Sequence, residues 1–196
     1  MYPRPIQKLI EYFQKLPGIG PKQAAKFAFR ALGMTQAELD AFGDAIRNIR
    51  REVSLCSSCS LSYSKDDSSL CPICRNPERD STIVCVVETE RDAYTIEKAN
   101  TFRGVYHVIG KVELTGDVAA SPPLTRLVRR VLSIEKPEVV IATNTTTDGR
   151  ALALFIEHAL KQTSAKVSRL GRGLSSGIEI EYADKETLSD AFQNRK

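Results

Sequence analysis

Four cysteines stand in two pairs, Cys56-Ser-Ser-Cys59 and Cys71-Pro-Ile-Cys74, with eleven residues between the pairs. Two intervening residues let a tight knuckle turn both sulfurs toward one ion. Four thiolates complete a tetrahedral zinc site and leave no open position for substrate or water. The chemistry expected of this set is therefore structural. A redox pair is the competing reading of Cys-x-x-Cys, and an iron–sulfur cluster is chemically allowed. The doubled motif without thioredoxin-like surroundings points to one zinc ion. The intervening SLSYSKDDSSL reads as a polar loop, so residues 56–80 are expected to lack a core of their own and to depend on the metal for order. The fifth cysteine, Cys85, lies in an apolar run and reads as a small core residue.

A second constellation lies nearer the start of the chain. Leu16-Pro17-Gly18-Ile19-Gly20 separates two helical patterns, and Gly18 and Gly20 permit a tight turn that exposes backbone N–H groups. A helix begins directly afterwards. Its free amides and the positive end of its dipole face the same turn, where a phosphate can sit. Lys22, Lys26 and Arg30 recur every four residues along one stripe. Ala24, Phe27, Ala28 and Ala31 fall toward the other side and are expected to pack inward. Phosphate contacts supply affinity without sequence preference, so Gly18, Gly20, Lys22, Lys26 and Arg30 predict a DNA-backbone binder. The alternatives are a glycine turn that joins two packing helices and a contact between subunits.

Two acids follow apolar runs. Glu88 closes STIVCVVE, and Asp148 follows EVVIAT within NTTTDGRALA. In a parallel sheet the carboxyl ends of the strands gather at one edge, where ligands bind. This pattern resembles the Toprim domain of topoisomerases and primases. That resemblance implies a Glu after the first strand and an Asp-x-Asp after the third, holding Mg²⁺. Here Arg150 stands where the second aspartate of that pair would be, which removes a ligand and repels the metal. Glu88 and Asp148 are expected to form an acidic, partner-binding edge with weak Mg²⁺ occupancy at most and no catalysis. A Mg²⁺-dependent nuclease or primase is the rival reading. Glu90 and Asp92 are either further edge acids or favourable first-turn charges of a helix. No Gly-x-x-x-x-Gly-Lys-Ser/Thr occurs, which excludes an autonomous P-loop ATPase, and neither His107 nor His158 belongs to a catalytic constellation.

The elements that must position these residues can be read from periodicity. PIQKLIEYFQKL places Ile6, Leu9, Ile10 and Phe13 on one helical face, and PKQAAKFAFRAL begins a second helix with Pro21 in its first turn. Thr35-x-x-Glu38 is a capping box that opens a third helix running to about Val53. Beyond residue 80, strands and helices alternate. STIVCVVE, GVYHVIG, EVVIATN and KVSRL read as strands, and ERDAYTIEKAN, PLTRLVRRVLSIE and RALALFIEHALKQ as helices. Continuous apolar strands between helices predict a mostly parallel sheet covered on both faces. The fold class is thus multidomain, α plus α/β. The expected divisions are a helix-hairpin-helix region at 1–55, a four-cysteine module at 56–80, a Toprim-like domain at 81–165 and a C-terminal strand and helix extension at 166–196.

The chain has 196 residues and a formal net charge of +4. Residues 1–55 carry nine Lys/Arg against five Asp/Glu, while the remainder is nearly balanced, so a polyanion partner is expected at the first segment. No apolar run approaches the ~20 residues of a membrane helix, and no export signal is read. A cytoplasmic protein without membrane contact is expected.

The order of modules, a basic helix-hairpin-helix, a four-cysteine site and a Toprim-like domain, resembles the RecR family of bacterial recombination mediators over essentially the whole chain. The ending GRGLSSGIEIEYADKETLSDAF is similar to that family's Walker-B-like run and final helix, with Tyr182 to Leu188 the nearest piece. The resemblance implies a non-enzymatic DNA repair protein of the nucleoid that forms homodimers and ring-like homotetramers. It implies partnership with RecO and RecF in loading RecA at gaps coated by single-strand-binding protein. By the same resemblance Lys22, Lys26 and Arg30 face double-stranded and gapped or single-stranded DNA, and the Glu88–Asp148 edge docks RecO. Two positions depart from the family. Asp148 stands where it usually carries Glu, and the loop Gly110 to Pro123 differs from its usual connection.

Overall fold

Apolar residues at helical spacing build the first of two compact units, Met1–Val53; the second is Ser54–Lys196. The computed structural model describes residues 2–110, 112, 121–171, 173–174 and 176–195. Most of the loop between Gly110 and Pro123, expected to differ from the family's usual connection, lies outside the described residues.

In the first unit, α1 (Arg4–Gln14) and α2 (Pro21–Leu32) pack as a hairpin. Ile10, Ala24 and Ala28 are buried between them, with Ile6, Leu9, Phe13 and Ile19 packed around. Alanine methyls on α2 let the α1 backbone approach closely. Phe27, expected inside, is instead 36% exposed and sits edge-on to Phe13 at 5.6 Å. The inner stripe is filled by Ala24, Ala28 and Ala31, which leaves Phe27 at its margin. α3 (Gln36–Glu52) starts from a complete Thr35–Glu38 capping box and buries none of its residues.

The second unit opens with a two-stranded sheet, β1 (Val53–Leu55) and β2 (Ser62–Ser64), and a short α4 (Pro72–Arg75). There follow β3 (Asp80–Val87), α5 (Glu90–Ala99), β4 (Gly104–Val108), α6 (Pro122–Leu132), β5 (Glu138–Ala142), α7 (Thr147–Leu160) and β6 (Lys166–Arg169). A 3₁₀ turn (Ile180–Tyr182) and α8 (Lys185–Gln193) complete the described chain. The strands form one wholly parallel sheet in the order β4-β3-β5-β6.

Strand residues alternate between faces, and two cores result. Val84, Val86, Val105, Val139 and Ile141 pack with Leu124, Leu127 and Val131 of α6 and Leu152, Ile156 and Leu160 of α7. Cys85, Val87, Tyr106 and Val108 pack on the opposite side with Ala93 of α5. Each such buried aliphatic side chain contributes about 1.5–3 kcal/mol. The cysteine segment belongs to this second core. Leu61 and Tyr63 are buried there with Cys56, Cys59 and Cys71. The expected coreless polar loop is therefore corrected: two apolar side chains between the cysteine pairs anchor it to the sheet.

Candidate metal centre and nucleic-acid interface

The knuckles are built by local backbone geometry. Cys56 accepts at its carbonyl from the Ser60 amide at 3.0 Å, and Ser60 turns the chain with a left-handed φ of 64°. Cys71 caps α4, its Sγ accepting from the Cys74 amide at 3.4 Å, and Pro72 occupies the first helical turn where no N–H is needed. The four sulfurs lie within 4.8 Å of one another, and those of Cys59 and Cys71 are 3.6 Å apart. Sulfurs 2.3 Å from a tetrahedral ion stand about 3.8 Å apart, so the donor set fits one ion. Among the described residues this is the one group of three or more His, Cys, Asp or Glu able to hold a metal.

Protonation is unequal across the cluster. The Cys71 thiol is drawn down by its sulfur contacts with Cys59 and Cys74. Cys59 is pushed up by its contacts with Cys71 and Cys74 and by burial. Cys85, on the neighbouring strand, is pushed up to about 12 by burial and stays an inert thiol.

The centre is tied to the sheet at several points. The Val108 amide donates to the Cys59 carbonyl at 2.9 Å, extending the β4 edge into the knuckle. Glu90 accepts from the backbone amide of Ser62 at 3.0 Å and from its hydroxyl, and Tyr94 Oη donates to the Ser62 carbonyl at 2.7 Å. Asp92 closes a capping box with Thr89. Both acids left open by the sequence thus have structural partners. Arg130 of α6 donates to the Tyr106 carbonyl at 2.5 Å, to the Ser58 carbonyl at 3.4 Å and to Cys74 Sγ at 3.9 Å. No spacing rule reveals this residue, which lies 56 positions from Cys74.

The carboxyl ends of β3 and β5 are adjacent, although the chain leaves β3 toward β4 on one side and later adds β5 on the other. This is the switch point at which open α/β sheets take ligands. Glu88 reaches across it, its Oε1 accepting from the Asn144 amide at 2.6 Å. Asp148 lies exposed in the first turn of α7, which begins at Thr147 rather than at the expected Arg150 because Thr146 caps it, accepting from the Gly149 amide at 3.1 Å. Gly149 is a packing requirement. A Cβ there would come within 3.0 Å of both the Asn144 carbonyl oxygen and Glu88 Oε1. Arg150 pairs with Glu186 of α8 at 2.6 Å. Both side chains line a cleft of about 490 Å³, with Thr145, Asp184, Thr187 and Asp190.

In the first unit the turn between α1 and α2 has the type II arrangement. Pro17 precedes Gly18 at φ +81°, and the Ile19 amide donates to the Leu16 carbonyl at 3.2 Å. Gly20 differs from the expectation. Its φ of −81° is available to any residue, so it is not needed for the turn itself. A Cβ at either glycine would meet nothing within 4 Å, which leaves the backbone open to close approach. Gly20 caps α2 without a side-chain acceptor, and no acid stands in the first turn. Lys22, Lys26 and Arg30 are exposed, and none has a carboxylate partner among the described residues.

Among the described residues no helix is long and apolar enough to cross a membrane. The profile described as "RecR, helix-hairpin-helix" matches residues 6–50, that of the Toprim domain 82–171, and "RecR, C-terminal" 173–196. Recombination protein RecR of Lactococcus lactis subsp. lactis is 41% identical over 99% of this chain and 98% of its own length. Recombination protein RecR of Streptococcus gordonii is 40% identical over 100% of this chain and 98% of its own. With its hairpin and parallel sheet lying in the segments that these profiles match, and full-length relatives at about 40% identity, the chain belongs to the RecR family.

Proposed function

We propose that this chain is a non-catalytic recombination mediator that grips the DNA backbone with its N-terminal hairpin and holds one structural zinc ion in its cysteine cluster. The observation that carries the reading is the stripe Lys22, Lys26 and Arg30, without carboxylate partners among the described residues, beside a helix N-terminus that lacks a side-chain cap and whose backbone stands open at Gly18 and Gly20. Amides of the first turn accept a phosphate, and the stripe continues along the strand. Zinc is supported by a buried four-sulfur donor set, and when bound it supplies cross-linking rather than reaction chemistry. Absence of catalysis is supported by Arg150 in the place of a second metal-binding acid.

The family supplies the wider setting. The mediator works in the cytoplasm at the nucleoid on double-stranded and gapped or single-stranded DNA, with RecO and RecF as partners. Glu88 and Asp148, together at the switch point, are the residues that dock the RecO partner. Self-association as a homodimer or homotetramer is supported by an apolar stripe on α3, where Phe42, Ile46 and Ile49 are all exposed.

The test is a salt titration of binding to gapped duplex DNA. Affinity should fall steeply with salt, and replacing both Lys22 and Lys26 by Ala should reduce the log–log slope by about 2, one phosphate contact each. A slope unchanged by the double substitution sinks the DNA assignment. Divalent-dependent cleavage or synthesis that disappears in Glu88→Gln would instead establish the Toprim enzyme.

A further inference from the structure

Arg130 is a part-buried guanidinium without a carboxylate partner among the described residues. Its three acceptors are two backbone carbonyls and a cysteine sulfur. Taking an unpaired cation out of water is costly, and such a charge is normally matched by an anion. Among the described residues the one potential anion that its guanidinium contacts is the cysteine cluster, through Cys74 Sγ. Four thiolates around a divalent ion carry a net charge of minus two, and this cluster is buried at Cys56, Cys59 and Cys71. Among the described residues Arg130 is the one Lys or Arg whose charged group bonds a cysteine sulfur.

Resting on the zinc reading above, we infer that Arg130 is the counter-charge of the metal centre: a positioning residue that retains zinc by neutralising Cys74 while fixing the knuckle to the sheet edge. Its two donor nitrogens divide these tasks. Nη1 satisfies the Tyr106 carbonyl on the edge strand β4 and the Ser58 carbonyl between the first two cysteines. Nη2 faces the sulfur of Cys74, the one cysteine of the cluster that is not fully buried. A thiolate partly open to water is the ligand most easily captured by protons or chelators, so a cation held against it slows the first step of metal loss. Arginine suits this better than lysine because one rigid fork serves carbonyls and sulfur together. Partners that orient and stabilise metal ligands typically contribute 10–100-fold in metal affinity.

The experiment compares the full chain with Arg130→Gln, which keeps a side-chain N–H donor without the charge, and Arg130→Lys, which keeps the charge without the fork. Zinc content is measured on each purified protein, followed by the rate of zinc transfer to excess chromogenic chelator. Arg130→Gln should release zinc at least about tenfold faster than the parent, with Arg130→Lys nearer the parent. In the cobalt-substituted proteins, the thiolate-to-cobalt charge-transfer band should move to longer wavelength in Arg130→Gln, because its sulfur electrons are no longer held down by a cation. Loss of carbonyl bonds alone would lower thermal stability without moving that band. Equal release rates and spectra in the parent and Arg130→Gln overturn the inference, as does an Arg130→Lys protein as leaky as Arg130→Gln. Should Arg130→Gln not fold, fast release from Arg130→Lys alone is the overturning result and near-parental release the supporting one. A parent chain that takes up no zinc overturns the metal reading itself, and this inference with it.

Discussion

At the scale of single residues, His107 shows how burial sets chemistry. It lies in β4, wholly buried, and neither ring nitrogen has a hydrogen-bond partner among the described residues. Burial, reinforced by the charge of Arg130, pushes its pKa down from 6.5 to about 4. The unfolded chain therefore takes up a proton as pH falls through about 6.5, while the folded chain waits until about 4. Stability is complete above the higher value and drains away through this window, by about 3 kcal/mol in all. Urea unfolding of His107→Leu at pH 7.5 and pH 5 checks this. The substitution should leave stability at pH 7.5 equal or higher, since it removes two unsatisfied polar atoms. It should also lose less than the parent on acidification; equal losses would show that His107 does not titrate as described.

Among the elements, α3 stands apart. The capping box at Thr35 and Glu38 fixes its start, but no residue along its seventeen is buried. Phe42, Ile46 and Ile49 fall at helical spacing, 43%, 60% and 58% exposed respectively. A helix with an apolar stripe gains most of its stability from covering that stripe, and the proposed homodimer supplies the cover. Replacing Ile46 and Ile49 together by Glu should lower the mass measured by light scattering to that of a smaller assembly. Far-ultraviolet circular dichroism should barely change, because neither side chain supports the fold of its own unit. An unchanged mass would remove α3 from the subunit interface.

For the molecule as a whole, the cysteine module and the sheet stand or fall together. Cys56, Cys59, Leu61, Tyr63 and Cys71 share one buried cluster with Cys85, Val87, Tyr106 and Val108. Removal of the proposed zinc by a chelator with a reversible thiol reagent should therefore loosen the whole Ser54–Lys196 unit rather than the knuckles alone. The expected drop in its melting temperature is about 10 °C or more. Hydrogen exchange should quicken in β4 while amides of α1 and α2 keep their protection. Exchange confined to residues 56–80 would show instead that the module is an independent appendage.

The four-cysteine cluster, the hairpin, the Thr35 cap and the alternation of strands and helices are all legible in the sequence. Each is encoded by neighbours a few residues apart, where the geometry of one turn or one pleat decides the outcome. The mismatches arose where a local pattern met a distant surface. The spacing of Phe27 points inward, yet alanines fill that face. Composition marks the cysteine loop as coreless, yet Leu61 and Tyr63 share a core supplied by strands beyond residue 80. Gly149 is glycine because Glu88 and Asn144 close over it. Arg130 against Cys74 and Arg150 against Glu186 join residues tens of positions apart, 56 and 36 respectively. The sequence by itself determined which chemical groups this protein carries and which local elements present them. Only the tertiary structure decided which of those groups meet, because a parallel sheet brings distant strand ends and helices side by side and charge must then be balanced among whatever neighbours result.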